Sequence, residues 1–229
     1  AIFLKWMTGT PVVLWVQDLW PQSVSAVGAV KHPFLLKAIE WVVRFIYARC
    51  DLIFVQSQAF TPNVVELGGA REKIFYVPNW AESHYLPVLR EQLLETKLSL
   101  PKGFRLVFAG NLGKAQAIET LLGAARLLKH IPELQWIFLG DGSERKSMTE
   151  LAKSMGLENQ VHFLGRFSSD KMPGFFALAD GMLVSLRRED IFASTIPSKI
   201  QTYMACGKPI LASLDGEGAR VVLEANAGF

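Results

Sequence analysis

The feature that most narrows what this chain can fold into is an alternation. Short, continuous apolar runs occupy Pro11–Val16, Leu52–Val55, Ile74–Val77, Arg105–Ala109, Gln135–Leu139, Val161–Phe163, Gly181–Val184 and Pro209–Ala212. They are rich in Val, Ile, Leu and Phe, as strands covered on both faces are. Helix-length stretches lie between them, at Phe34–Arg49, Ala117–Lys129, Ser143–Met155 and Ser198–Ala205. Strands alternating with helices read as βαβ units in parallel sheets, so the predicted class is α/β. The alternation breaks near residues 80–104. Asn79–Leu86 reads as a loop, Arg90–Leu98 as a charged helical stretch, and Pro101-Lys102-Gly103 as a turn before a strand. Two domains follow: 1–86, then a linker over 87–104, then 105–229. The chain opens inside the apolar segment Ala1–Met7 and stops one residue after Gly228, so both domains are expected to be incomplete at the outer ends.

Composition removes several classes of function. Half of the 229 residues are hydrophobic and a fifth are charged, which excludes a disordered chain. A formal charge of +3 without a sustained basic cluster argues against nucleic acid as a partner. Cys50 and Cys206 stand far apart without metal-ligand spacing, and read as two reduced thiols in a cytoplasmic protein. No apolar run is long enough to span a bilayer. His32, His84, His130 and His162 share no motif, and no Asp-x-Asp pair is present to bridge a metal to a diphosphate. No metal and no cofactor is expected.

Candidate chemistry sits at strand ends, where ligands of open parallel sheets bind. In Val107-Phe-Ala-Gly-Asn-Leu-Gly-Lys-Ala-Gln116 a buried strand ends, small residues turn, and a helix begins near Ala117. A helix start offers free N–H groups to phosphate, and Gly110 and Gly113 let the backbone come close. A plain strand-to-helix turn has the same form. Gly165-Arg166 follows another strand, as a base or phosphate contact or as a surface ion pair. Lys199 follows Pro197-Ser198 at a helix start, where a cation opposes the helix dipole unless an anion lies near. Asp18 follows the first strand and reads as a substrate contact or as a cap. Asp141, within Gly-Asp-Gly, reads as a helix cap ahead of a catalytic group. Gly216-Glu-Gly-Ala-Arg220 is a further Gly-rich turn entering a helix.

Several motifs recur here in one order: Phe138-Leu-Gly-Asp-Gly-Ser-Glu-Arg145, Val161-His-Phe-Leu-Gly-Arg166, Ala179-Asp-Gly-Met-Leu-Val-Ser-Leu186, Ile196-Pro-Ser-Lys199 and Tyr203-Met-Ala-Cys-Gly-Lys-Pro-Ile210. From about Arg105 to Phe229 the chain resembles the donor-binding domain of the family 4 glycosyltransferases of GT-B fold. Trp15-Val-Gln-Asp-Leu-Trp-Pro21, Cys50-Asp-Leu-Ile-Phe-Val-Gln-Ser57 and Tyr76-Val-Pro-Asn79 resemble the second half of the acceptor domain in that family. Asp-Leu-Trp-Pro and Ile-Pro-Ser-Lys resemble the bacterial fucosaminyl and colanic-acid-type transferases of O-antigen and capsule assembly.

The resemblance implies two Rossmann-like domains facing a cleft, truncated at both ends. It also implies a retaining transfer of a hexosyl group, including N-acetylated amino sugars, from a UDP-sugar to a lipid-linked saccharide. Taken with the strand-end and helix-start arguments, the candidate nucleotide-sugar residues are Gly110, Asn111, Gly113, Lys114, Gly165, Arg166, Ser198, Lys199, Glu217, Gly218 and Ala219, with Asp18 and Lys199 the catalytic candidates. Three positions depart from the family pattern: Asn111 stands where a cation is usual, and Ser194 and Thr202 stand where two glutamates are usual. Lys114 and Lys199 are then left to meet the diphosphate. A polyprenyl-linked acceptor implies contact with the inner face of the cytoplasmic membrane, for which the apolar stretch Phe34–Arg49 is the candidate; a buried helix is the other reading of it. Two other functions are compatible with the same motifs: a UDP-sugar epimerase of GT-B form and a non-catalytic sugar-nucleotide binder.

Overall fold

A computed structural model describes residues 1–26, 28–90 and 100–229. It divides into two compact units. The first holds residues 1–79 with 188–196 and 216–218, and the second holds 80–187, 197–215 and 219–229.

The first unit is built on three parallel strands, β1 (Val13–Val16), β2 (Leu52–Val55) and β3 (Ile74–Tyr76), in the order β1-β2-β3. Central β2 buries Ile53 and Val55 completely. They meet Phe60 and Val64 of helix α4 (Phe60–Glu66), Val43 and Tyr47 of α3 (Pro33–Tyr47), and Ile2 of α1 (Ile2–Thr8). The short α2 (Gln22–Ala26) follows β1. Cys50 is wholly buried, and burial pushes its thiol up. Asp51 accepts the N–H of Val12 at 2.7 Å and lies 2.7 Å from the Lys5 ammonium, which ties α1 to the sheet.

The expected helix Phe34–Arg49 forms as α3, ending at Tyr47. Only Val43 and Tyr47 of it are buried, whereas Phe34, Leu35, Trp41 and Val42 face outward. The apolar character of α3 therefore exceeds what its core contact uses. The adjoining α1 likewise exposes Phe3, Leu4, Trp6 and Met7. No described helix is long and apolar enough to cross a membrane.

The second unit holds five parallel strands in the order β6-β5-β4-β7-β8: β4 (Phe104–Ala109), β5 (Leu134–Leu139), β6 (Val161–Gly165), β7 (Gly181–Ser185) and β8 (Ile210–Ser213). Every expected strand of the chain is present. The helices along this part of the chain are α5 (Ile118–Leu127), α6 (Arg145–Ser154), α7 (Met172–Ala177), α8 (Asp190–Ala193), α9 (Ser198–Ala205) and α10 (Glu217–Glu224), of which α8 and the first two residues of α10 group with the first unit. Phe108 and Phe138 pack with Ile118 and Leu122 in one core layer. At the start of β4, buried Arg105 is satisfied by the carbonyls of Pro101 and Leu178, and its N–H donates to Asp180.

The chain turns outward from β4 to β5 and β6 on one side and to β7 and β8 on the other. That reversal is the topological switch beside which such sheets bind ligands. The expected helix at Ala117 begins one residue later. A 3-10 turn over Lys114–Gln116 precedes it, and Ala117 takes a left-handed φ of 45°. The stretch Arg90–Leu98 lies outside the described residues beyond Arg90.

The packing of two strand ends sets a stability test. Gly140 has φ +135°, and a Cβ there would overlap the carbonyl oxygen of Gly110. Gly140→Ala combines backbone strain with a clash against backbone, which cannot swing aside. We expect it to cost roughly 3 kcal/mol or more, read as a lowered urea midpoint of the full-length protein. Gly123→Ala, at a helix site with open space around it, should be neutral or slightly stabilising.

Candidate nucleotide-sugar site

Because the second sheet is parallel, the turns after β4, β5 and β6 gather along one edge. Their peptides are laced together. The Gly110 N–H donates to Leu139 O at 2.9 Å and the Gly140 N–H to Gly165 O at 2.7 Å. Leu112 donates to Asp141 O at 2.8 Å, and Glu144 to Leu112 O at 2.9 Å. A Cβ on Gly142 would stand 2.5 Å from Leu112 O, so only glycine lets these turns nest. The Gly113 N–H donates to Gln116 Oε1 at 3.3 Å. The amides of Gly110, Leu112 and Gly113 are thus spent on the fold. This corrects the expectation that the glycine turn presents those amides to a phosphate.

A cavity of about 850 Å³ opens above these turns. Gly110 and Asn111 border it from β4, Gly140 and Asp141 from β5, and Arg166 with Phe167, Ser168 and Ser169 from the segment after β6. Met172 of α7 and Tyr85 complete the lining, with Leu139. Of the residues picked from sequence, the cavity brings together Gly110, Asn111 and Arg166.

Gly165 and Gly113 lie buried within the turns. Lys114 is exposed on the 3-10 turn, Ser198 is exposed as the first residue of α9, and Ala219 is the third residue of α10. Asp18 stands exposed two residues after β1 in the first unit. Glu217 and Gly218 group with that unit too, and Glu217 Oε2 accepts a hydrogen bond from Ser57 at 3.3 Å. The Asp141 carboxylate accepts the Gly142 N–H at 2.9 Å and lies 3.8 Å from Arg145. Ser194 and Thr202 give their hydroxyl protons to Asp190 O and Lys199 O.

Lys199 is the unusual group. Its stem is partly exposed, yet its Nζ is sealed from solvent without a hydrogen-bond partner. The amine lies 3.6 Å from the centroid of the Phe108 ring and 3.3 Å from where a Cβ on Gly110 would be. Gly110 borders the cavity, so the amine sits next to the cavity floor. Burial lowers its pKa to about 7. Its helix is pinned to β4 by Tyr203, whose buried hydroxyl donates to Ala109 O at 3.0 Å and accepts the Ala109 N–H at 2.9 Å. Strand β4 and helix α9 therefore position the amine together, and neither sequence motif alone indicates that.

Sequence reasoning missed Tyr85, Phe167, Ser168, Ser169 and Met172. The signal available for them was their place after a glycine at a strand end, and for Tyr85 there was none. Among the described residues no group of His, Cys, Asp and Glu could hold a metal ion.

A five-stranded parallel sheet with glycine-locked turns beneath a cavity at the ends of β4, β5 and β6 defines a doubly wound α/β unit. Comparison with known proteins sharpens this. Residues 90–229 match the family described as glycosyl transferases group 1, and residues 1–80 match a glycosyl transferase 4-like domain. The chain belongs to the group 1 glycosyl transferase family. It is 29% identical over 234 residues to the protein named probable glycosyltransferase WbjE of Pseudomonas aeruginosa, covering 99% of this chain and 57% of that one. It is 25% identical to WcaI of Escherichia coli strain K12, named for colanic acid biosynthesis, over 88% of this chain and 50% of that protein. The chain thus spans little more than half the length of these relatives. A crystal structure of Anabaena Alr3699/HepE in complex with UDP superposes with a TM-score of 0.76 at 20% identity, covering all of this chain and 60% of that one. The fold is that of the GT-B glycosyltransferases.

The buried amine has a signature in stability. Its folded pKa of about 7 lies below the ordinary lysine value of 10.5. Between those values the unfolded chain holds a proton that the folded chain lacks, so this group makes stability rise with pH across that window. At pH 7 and below its cost is fully present. Lys199→Met should therefore melt above the parent protein at pH 6, and the gap should close as pH approaches 10. A gap independent of pH would mean that the amine is not buried as described.

Proposed function

We propose that this chain is the greater part of a retaining glycosyltransferase. It moves a hexosyl group, with N-acetylated amino sugars among the candidates, from a UDP-sugar to a hydroxyl of a lipid-linked saccharide. The setting is bacterial surface polysaccharide synthesis. The observation that carries the reading is the sealed, unpartnered amine of Lys199 beside a cavity at three strand ends. A buried amine without a counter-charge is costly, and a diphosphate is the anion that such a cavity is shaped to receive. Family membership, the naming of WcaI for colanic acid synthesis, and UDP in HepE support the same reading.

When the sugar leaves, negative charge develops on the diphosphate. Lys199 stabilises it from the cavity floor, and Lys114 adds a weaker, exposed charge. This is electrostatic stabilisation set in place before the reaction. Ser194 and Thr202 offer no carboxylate to attack the sugar carbon. A front-face route, in which the departing phosphate oxygen takes the proton of the incoming hydroxyl, then fits retention better than a covalent glycosyl-enzyme. Asp18 is assigned to the acceptor side, and no metal or cofactor is invoked.

Two measurements test the donor half. Isothermal titration of the full-length protein should show UDP binding weakened about tenfold or more in Lys199→Ala, since a charge-assisted contact contributes about 1.5–3 kcal/mol. Lys114→Ala should change it little. Sugar transfer from UDP-sugar, measured with and without a polyprenyl-linked saccharide, should require the acceptor. Unchanged UDP affinity in Lys199→Ala would remove the phosphate assignment.

For the acceptor half, we propose that the first unit lies against the cytoplasmic face of the membrane. The outward Phe34, Leu35 and Trp41 of α3 and Phe3, Trp6 and Met7 of α1 supply apolar contact. Lys31 and Lys37 supply charge worth on the order of 1 kcal/mol each at an anionic surface. Arg44 is engaged by Glu40 at 2.8 Å and by Glu66 O at 2.8 Å, and Arg49 stacks 3.8 Å over Phe45, so these two are committed to the fold. Full-length protein should pellet with anionic liposomes and release at high salt. Joint Lys31→Glu, Lys37→Glu and Trp41→Ser changes should abolish pelleting without altering UDP affinity. Pelleting that survives them would remove α3 from the membrane contact.

A further inference from the structure

One wall of the cavity has no role in the reading so far. Tyr85 precedes β4 by almost twenty residues, yet it lines the cavity together with Phe167, Ser168, Ser169 and Met172. Its ring is supported by two others. It packs on His84 with centroids 4.2 Å apart, and lies nearly parallel to Phe176 of α7, at 6.1 Å and 14°. Phe176 meets Tyr203 edge-on at 5.2 Å, and Tyr203 is the residue bonded to both polar groups of Ala109. The ring of Tyr85 is thus fixed relative to the strand end that places Gly110 and the Lys199 amine.

Its hydroxyl is different. Among the described residues it has no hydrogen-bond partner, and it is not sealed from solvent. Burial and the nearby Glu82 push the phenol up, so at neutral pH it is an O–H donor. A ring held rigid on a cavity wall with a free donor suits a flat ligand edged with oxygens. The nucleoside of a nucleotide-sugar is such a ligand, and stacking of a base on an aromatic side chain contributes about 1–3 kcal/mol.

We propose that Tyr85 reads the nucleoside of the donor, with its ring against the base and its hydroxyl donating to an oxygen of the nucleoside. This rests on the UDP-sugar reading above. It adds a specificity residue from outside the strand-end motifs.

The test is isothermal titration of full-length protein, and of its Tyr85→Phe and Tyr85→Ala variants, with UDP, UMP, ADP and GDP. Thermal melts confirm folding, and competition by inorganic pyrophosphate reports the phosphate end alone. Tyr85→Ala should lower UDP and UMP affinity about tenfold or more. It should narrow the preference for UDP over ADP and GDP, and leave pyrophosphate competition as in the parent. Tyr85→Phe, which keeps the packing, should lose a smaller factor, about two- to fivefold, as for one hydrogen bond. A Tyr85→Ala protein that melts normally and binds UDP and UMP like the parent overturns the proposal. So does a Tyr85→Ala loss that falls equally on pyrophosphate, because the residue is then only an anchor. Tyr85→Phe matching the parent removes the hydroxyl's part. A parent protein that binds another nucleoside diphosphate in place of UDP overturns the UDP reading, and Tyr85 is then judged on that nucleotide. Binding of none overturns both.

Discussion

The carbonyl of Gly110 and the backbone of Gly140 approach so closely that no side chain fits between them. Much of the second unit's chemistry depends on that contact. It draws the ends of β4 and β5 together, and the Gly140 N–H carries the line on to Gly165 at the end of β6. Three turns become one shelf. The cavity stands on the shelf because the residue after each glycine, namely Asn111, Asp141 and Arg166, is turned to its rim. A parallel sheet guarantees that strand ends share an edge. Only the glycines let that edge close into a floor.

The same floor explains how a costly group is tolerated. The Nζ of Lys199 has lost its water and gained only the face of Phe108. Such a face attracts a cation modestly, by about 0.5–2 kcal/mol, and does not replace hydration. The lowered pKa records the deficit. Tyr203 holds α9 to the end of β4 through two hydrogen bonds, which keeps the start of that helix beside Phe108. Stability is given up locally and retained by the surrounding apolar layer of Phe108, Phe138, Ile118 and Leu122. On the proposed function the missing counter-charge arrives with the diphosphate, and binding recovers what folding lost.

How much of this was legible in the sequence follows from what kind of contact each feature is. The strands were legible as uninterrupted apolar runs, which β4, β5 and β7 owe to burial on both faces, whereas β1, β3 and β8 carry the same kind of run with Val13, Phe75 and Leu211 left exposed. Lys199 was legible because a cation at a helix start contradicts the helix dipole. That its amine is sealed was not legible, since the sealing comes from Phe108 on a strand about ninety residues earlier. The helix after β4 was placed one residue early because a 3-10 turn with a left-handed Ala117 has no pattern that separates it from a helix start. The amides of Gly110 and Gly113 were misjudged for a related reason. A glycine turn that cradles a ligand and one that clasps a neighbouring turn have the same composition, and only the partners, Leu139 O and Gln116 Oε1, tell them apart. Tyr85 was out of reach altogether, because its place depends on Phe176 and on how α7 lies against the sheet.

These contacts also rank the two lysines that the sequence put side by side. Lys114 and Lys199 both lie near a strand end of the second sheet, and both are formally able to face a diphosphate. Lys114 is exposed on its turn, where water and salt screen its field and an ion pair is worth about 0–1 kcal/mol. Lys199 is held in a dry pocket, where the same charge acts with less screening and with a fixed direction. Asn111 supplies no cation, and Arg145, whose guanidinium lies 3.3 Å from where a Cβ on Gly165 would be, is partly exposed and stands 3.8 Å from the Asp141 carboxylate. Arg166 is exposed at the far rim, beyond β5 from Gly110. Of the two lysines, Lys199 is therefore the one whose amine the fold holds in place, and on the proposed function it is the group that meets the phosphate end of the donor.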